Sequence, residues 1–211
     1  MEYEKVDLEN WPRREHFAHY MERVPCTYSL TTKLDITAVV QGGRKLYPTL
    51  LYCLAGAVNR HEAFRMALGP DGTLIRYRQM WPSYTIFHRE SETFSNLWTE
   101  YTEDYGKFCR RYAQDVQDYG DSPAFMAKPD QPENCFPVSM LPWHSFDGFN
   151  LNLDDYGYLI PIFTLGRVQE QAGRSVIPLA VQVHHAVCDG YHLCRFLDTL
   201  QQLADRCGAE P

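Results

Sequence analysis

The chain has 211 residues, of which 45% are hydrophobic and 22% charged. That length suits one domain burying about 70% of its unfolded surface, and the balance excludes a disordered polymer. A formal net charge of -7 argues against nonspecific binding to nucleic acid or anionic membrane, so a phosphate-bearing ligand has to find local cations.

In chain order, Trp11–Tyr20 reads as a short helix with Pro12 in its first turn, stopped near Pro25. Leu34, Ile36, Ala38 and Val40 alternate with Lys33, Asp35, Thr37 and Val39, which predicts a strand running to Gly42 and Gly43. Pro48 then precedes Leu50, Leu51, Leu54, Ala57, Val58 and Phe64, the wide apolar stripe of a central core helix. After a turn at Gly69–Gly72, Thr73–Met80 and Ser83–Arg89 read as strands, with a hairpin the simplest pairing. Leu97, Tyr101, Tyr105, Phe108, Tyr112 and Val116 have helical spacing, interrupted by Gly106. The proline-rich stretch 120–142 reads as an irregular crossing, followed by strands at Asp147–Leu153 and Leu159–Val168 and a turn at Ala172–Arg174.

The end of the chain carries the densest pattern. Val176–Val183 is rich in β-branched residues, and alternation puts Val181, Val183 and His185 on one face with Gln182 and His184 on the other. Leu193, Phe196, Leu197, Leu200, Leu203 and Ala204 recur at helical spacing behind Asp189 and Gly190, a plausible N-cap. The tail from Gly208 is expected to fray. Neither a repeat nor a linker divides the sequence, so one domain is expected over 1–211.

A histidine fixed at a strand end suits a general base, because an imidazole with its ordinary pKa of ~6.5 is largely unprotonated at neutral pH. Asp189 can cap the helix or pair with a cation to hold the loop. A structural core histidine and ordinary Asp-Gly capping are the alternative readings. Metal binding by His184, His185, Asp189 and His192 is disfavoured, since neighbouring strand residues point to opposite faces. The cysteines, Cys26, Cys53, Cys109, Cys135, Cys188, Cys194 and Cys207, are odd in number and never spaced Cys-x-x-Cys, which predicts thiols rather than a disulfide framework or zinc site. The first residues lack a signal-peptide pattern and the longest apolar run, 50–58, is too short to span a bilayer, so a cytoplasmic location is expected.

His184-His185-Ala-Val-Cys-Asp189-Gly190 resembles the signature of the chloramphenicol acetyltransferases, whose shorter form also occurs in the acyltransferase cores of 2-oxoacid dehydrogenase complexes. Trp11-x-Arg13-Arg14-Glu15-His16-Phe17, Leu34–Thr37, Phe64–Ala67, Thr85–His88, Glu92–Ser95 and Leu141-Pro142-Trp143-x-Ser145-Phe146 are similar to that family's motifs in the family's order, which favours the classical trimeric enzymes. The resemblance implies an α/β fold, a two-layer sandwich with a mixed sheet. It implies direct transfer of acetyl from acetyl-CoA, a cosubstrate, to the 3-hydroxyl of chloramphenicol, without a metal, in a homotrimer whose active sites lie between subunits.

By the same resemblance His185 is the general base and Ser139 the donor to the oxyanion. Thr164 holds a water near the intermediate, and Asp189 pairs with Arg13 to brace the loop. The acceptor pocket is expected from Tyr20, Val24, Cys26, Tyr28, Phe94, Phe125, Phe149, Leu151, Tyr158 and Ile162, and the CoA site from Lys45, Tyr47 and Trp143, with Arg44 a nearby cation. The sequence departs from the family at His19 (commonly phenylalanine), Pro137 (asparagine in some members) and Val168 (usually tyrosine). These departures keep open the same chemistry on another hydroxyl acceptor. A noncatalytic drug-binding homologue is the third reading, disfavoured by the intact His185, Ser139, Thr164, Asp189 and Arg13.

Overall fold

The computed structural model describes residues 2–209. In order, the elements are β1 (Tyr3–Lys5), α1 (Arg14–Ala18) running into a π-helical turn (His19–Arg23), β2 (Thr27–Asp35), α2 (Thr37–Gln41), α3 (Leu46–Arg60), a 3-10 turn (Glu62–Phe64), β3 (Met66–Leu68), β4 (Leu74–Tyr77), β5 (Trp81–His88), β6 (Thr93–Trp98), α4 (Tyr105–Tyr119), β7 (Cys135–Met140), β8 (Ile162–Leu165), β9 (Gln169–Gln171), β10 (Arg174–His184) and α5 (Gly190–Ala209). The main sheet has the strand order β2-β10-β8-β7-β5-β6, and β9 pairs with the start of β10. Strands β8, β7 and β5 are parallel to one another, while β2, β10 and β8 alternate in direction and β6 runs against β5, so the sheet is mixed. Strands β1, β4 and β3 form a separate small sheet.

Register divides the main sheet into two unlike faces. Leu30, Val181, Phe163, Val138, Tyr84 and Leu97 are successive partners across six strands and face one side. There α3 and α5 cover them: Phe196 of α5 stacks on Phe64 at 4.1 Å and lies 5.5 Å from Phe163, which meets Phe136 edge-on at 5.5 Å. Leu50, Leu51, Leu54 and Val58 of α3 join the same core. Each such side chain contributes about 1.5–3 kcal/mol on leaving water, and this layer holds the molecule together. The opposite face presents Thr31, Ala180, Thr164 and Ser139 in register, with Gln182 and Ile162 one step along.

Several sequence expectations are corrected. The strand at Leu34–Val40 ends instead at Asp35. There the Asp35 carboxylate accepts the Thr37 N–H at 2.9 Å and turns the chain into α2, burying Ile36 and Val39 at helical spacing while Val40 is exposed. The core helix starts at Leu46 and stops at Arg60, so Phe64 belongs to the following turn. Thr73–Met80 and Ser83–Arg89 form no hairpin, since β4 enters the small sheet and β5 pairs with β6 and β7. Leu97 lies on β6, and the helix begins at Tyr105, capped by the Asp104 carboxylate on the Lys107 N–H at 2.7 Å. The stretch 120–142 contains β7, whose pairing with β5 runs through Pro137, a residue that hides the strand in the sequence pattern.

Residues 147–153 form no strand. The Phe149 and Leu151 N–H groups donate to the side chains of Thr31 and Gln182 at 3.2 and 3.1 Å, so the segment lies on the polar face of the sheet instead of joining it. Helix α5 continues to Ala209, past the expected fraying point at Gly208; Glu210 and Pro211 lie outside the described residues. The β9–β10 turn is as expected, with Ala172 and Gly173 at φ 51° and 77°, the left-handed pair a two-residue hairpin loop requires.

Candidate active site

The His185 end of the sheet is built by three local features. The His185 N–H donates to the Cys26 carbonyl at 2.9 Å, which carries the β2–β10 ladder one bond past β10. A tight turn follows, in which the His184 carbonyl accepts from the N–H groups of Val187 and Cys188 at 3.2 and 3.0 Å. Asp189 then caps α5: its carbonyl accepts the Leu193 N–H at 3.1 Å and its Oδ1 the Tyr191 N–H at 3.1 Å.

The His185 ring is half-buried between two tyrosines. Tyr20 stacks on it with centroids 4.0 Å apart and planes 6° apart, and Tyr28 meets it edge-on at 5.2 Å. Tyr28 in turn donates its hydroxyl to the Cys188 carbonyl at 3.4 Å, and burial holds that phenol well above its ordinary pKa. Arg13 Nη1 pairs with Asp189 Oδ2 at 2.5 Å and its Nη2 donates to the His185 carbonyl at 3.3 Å, so the guanidinium ties the capping loop to the histidine's own backbone. Burial works to raise the Asp189 pKa, but Arg13 and His192 outweigh it and hold the carboxyl below its usual range.

His184 has a different environment. It is 1% exposed, burial lowers its pKa, and its Nδ1 accepts the Ala186 N–H at 3.1 Å, which puts the proton of the neutral ring on Nε2. This is a residue that shapes the turn. Among the described residues no group of three or more His, Cys, Asp or Glu could hold a metal ion.

The structure sorts the other expected site residues into groups. Val24 and Cys26 flank the entry to β2 beside the Tyr20–His185–Tyr28 stack, with Val24 52% exposed. Ser139 and Thr164 are direct partners on β7 and β8, on the helix-free face, with Ile162 and the Phe149–Leu151 segment nearby on the same face. Phe94 and Phe125 lie further across that face on the β6 side, 5.8 Å apart and both exposed. Tyr158 lines a cleft of about 310 Å³ with Leu68, Pro70 and Tyr77 of the small-sheet region, where burial pushes its pKa up to about 12.

Of the expected CoA residues, Trp143 lies at the carboxyl ends of the parallel strands, a common place for ligands in such sheets. Trp143, 55% exposed just beyond β7, meets Phe87 of β5 edge-on at 4.5 Å. Lys45 precedes α3 on the rim of a 600 Å³ cleft shared with Arg44, Arg110 and Tyr105. Tyr47 is turned inward: its hydroxyl donates to the Thr85 carbonyl at 3.5 Å and its ring meets Tyr84 and Tyr112, so it supports this region as a packing residue.

One chain does not bring His185 and Ser139 together. Ser139 is level with Ala180, five residues before His185 and two strands away. Strand geometry puts them roughly 17 Å apart along the sheet and about 10 Å across it.

A family model described as chloramphenicol acetyltransferase matches residues 1–201. The chain belongs to the chloramphenicol acetyltransferase family. A chloramphenicol acetyltransferase of Vibrio anguillarum is 56% identical over 204 residues, covering 96% of this chain and 94% of the relative. One of Campylobacter coli is 54% identical over 207 residues, covering 98% and 100%. Among solved structures, a chloramphenicol acetyltransferase gives a TM-score of 0.84 at 22% identity, over 96% of this chain and 99% of the other. The dihydrolipoamide acetyltransferase of Azotobacter vinelandii gives 0.68 at 19%, over 92% and 87%, so the two share this two-layer acyltransferase fold.

Within this chloramphenicol acetyltransferase fold, sequence reasoning missed His192 as a partner of Asp189, 2.7 Å from its Oδ1. The signal was present as a histidine three residues after a helix-capping acid. It also missed the segment that covers Gln182, because its backbone is held by side chains and leaves no periodicity.

Proposed function

We propose that the protein transfers acetyl from acetyl-CoA to the 3-hydroxyl of chloramphenicol in the cytoplasm, as a homotrimer of single-domain subunits. The family supports the substrates, and the ring of His185 held between Tyr20 and Tyr28 is the observation that carries the chemistry. His185 takes the acceptor's hydroxyl proton as that oxygen attacks the thioester carbonyl, a step worth about 10²- to 10⁴-fold for a positioned base. The oxyanion that forms accepts a hydrogen bond from the Ser139 hydroxyl, and Thr164 holds a water beside it. Collapse breaks the carbon–sulfur bond, and the CoA thiolate recovers the proton from the His185 imidazolium.

The separation of His185 from Ser139 within one chain supports a site shared between subunits. One copy supplies His185 with Arg13, Asp189, Tyr20, Val24, Cys26 and Tyr28. Its neighbour supplies Ser139, Thr164 and the apolar residues of the helix-free face, Phe94, Phe125, Phe149, Leu151 and Ile162, with Tyr158 at the edge. Lys45 and Trp143 receive acetyl-CoA from the carboxyl ends of the parallel strands, with Tyr47 behind them.

A second reading changes only the acceptor. His19 packs edge-on against Tyr20 at 4.9 Å and adds a polar ring next to the stack that holds the base. An acceptor offering that ring a polar group would then be preferred.

The test is thiol release from acetyl-CoA with and without chloramphenicol, beside His185→Ala. Release that needs the drug and falls about 10²- to 10⁴-fold in the variant supports the reading. A folded, silent wild type overturns the acceptor, and a fully active monomer in sedimentation overturns the shared site.

A further inference from the structure

The Asp189 carboxylate is held from two sides. Arg13 occupies Oδ2 at 2.5 Å, and the His192 ring reaches Oδ1 at 2.7 Å. Oδ1 also accepts the N–H groups of Tyr191 and His192 at 3.1 and 3.4 Å, so the imidazole is its shortest contact. An ionised carboxylate can only accept, which places a proton on His192 Nδ1. The Asp189 N–H lies 3.4 Å from that same nitrogen, too long an approach to compete with the charge-assisted bond.

We infer that His192 is a positioning residue for the acetyl transfer. It fixes the carboxylate rotamer of Asp189, which fixes the Arg13 guanidinium, which holds the His185 carbonyl at 3.3 Å. His192 is on the first turn of α5, whose Leu193 and Phe196 are fully buried, so its backbone is anchored in the core. Arg13 stands just before α1, a five-residue helix none of whose residues is fully buried, although Trp11 and Phe17 on either side pack against the core. Helix α5, anchored by its buried residues, thus gives Asp189 a fixed second contact opposite Arg13. The other groups facing His192 across a cleft of about 280 Å³ are Trp11, Arg60, His61 and Arg195, together with Glu62, which is ion-paired with Arg76 at 2.6 Å. Asp189 is thus left as the carboxylate that this ring engages.

The inference rests on the proposed acetyl transfer, and its test separates the two. His192→Phe keeps an aromatic ring and removes the donor; His192→Asn keeps an N–H donor near the place of Nδ1. Expected are a fall in kcat of about tenfold for His192→Phe, with KM for chloramphenicol and acetyl-CoA within twofold, and recovery of most of it in His192→Asn. Ring-nitrogen NMR of the wild type, which needs no turnover, should find the Nδ1–H form of His192 and lose that signal in Asp189→Asn. Equal kcat in wild type and His192→Phe, an asparagine variant as poor as phenylalanine, or the Nε2–H form overturns the role of His192. A wild type that releases no thiol while showing the Nδ1–H form overturns the acetyl transfer and leaves the Asp189 contact standing.

Discussion

The two faces of the main sheet are made by the same strands and do opposite work. On one, Leu30, Val181, Phe163, Val138, Tyr84 and Leu97 meet helices α3 and α5 in a continuous apolar layer. On the other, Thr31, Ala180, Thr164, Ser139 and Gln182 leave hydroxyls and an amide where the helices are absent. Alternation along a strand sets a residue that secures the fold beside one proposed for the chemistry, so substitutions on the two faces should separate stability from activity.

The largest effect is expected on the core face. Phe163→Ala should cost about 3–5 kcal/mol in chemical unfolding, since it opens a cavity between Phe136 and Phe196, while the folded fraction keeps its kcat. Ser139→Ala, one strand away on the other face, should reverse the pattern. Steady-state rates should fall about 10²- to 10³-fold, with unfolding changed by less than about 0.5 kcal/mol. Equal losses of stability at both positions would remove the distinction.

The Arg13–Asp189 pair sharpens the comparison at the sheet end. Because the folded-state pKa of Asp189 is depressed, its contribution is complete above the ordinary carboxylate value of about 4 and is lost as pH falls through the folded value. Asp189→Asn should therefore be less stable than wild type by about 1 kcal/mol at pH 7, with the gap closing in acid. A gap that widens below pH 4 would rule out this linkage. The smallest effect is expected at Val168. Val168→Tyr restores a stacking face near the proposed CoA path and should lower KM for acetyl-CoA about two- to tenfold in initial-rate measurements. An unchanged KM would put position 168 outside that path.

What the sequence disclosed follows from how local its causes are. The strand from Val176, the cap at Asp189 and helix α5 depend on neighbours in the chain, and all were legible. The Arg13–Asp189 pair joins residues 176 apart and came from family resemblance alone. The hairpin expected between Thr73–Met80 and Ser83–Arg89 failed because propensity identifies strands and leaves their partners open; β4 pairs instead with β1 and β3. Strand β7 was hidden by Pro137, and β6 was absorbed into a helical spacing that began at Leu97 by coincidence of apolar positions. The distance between His185 and Ser139 needed the register of three strands, which no pattern in the sequence supplies.

Strand β10, which lies between β2 and β8, is the last strand of the described residues to be synthesised. Strand β2 leaves the ribosome some 140 residues before its main-sheet neighbour, so its edge stays unpaired through most of translation. A nascent chain interrupted before residue 174 has β5, β6, β7 and β8 but neither the strand that joins them to β2 nor helix α5 to cover them. Closure of this sheet is thus a late, long-range event, and the interval before it is when the chain is most exposed to pairing with another copy.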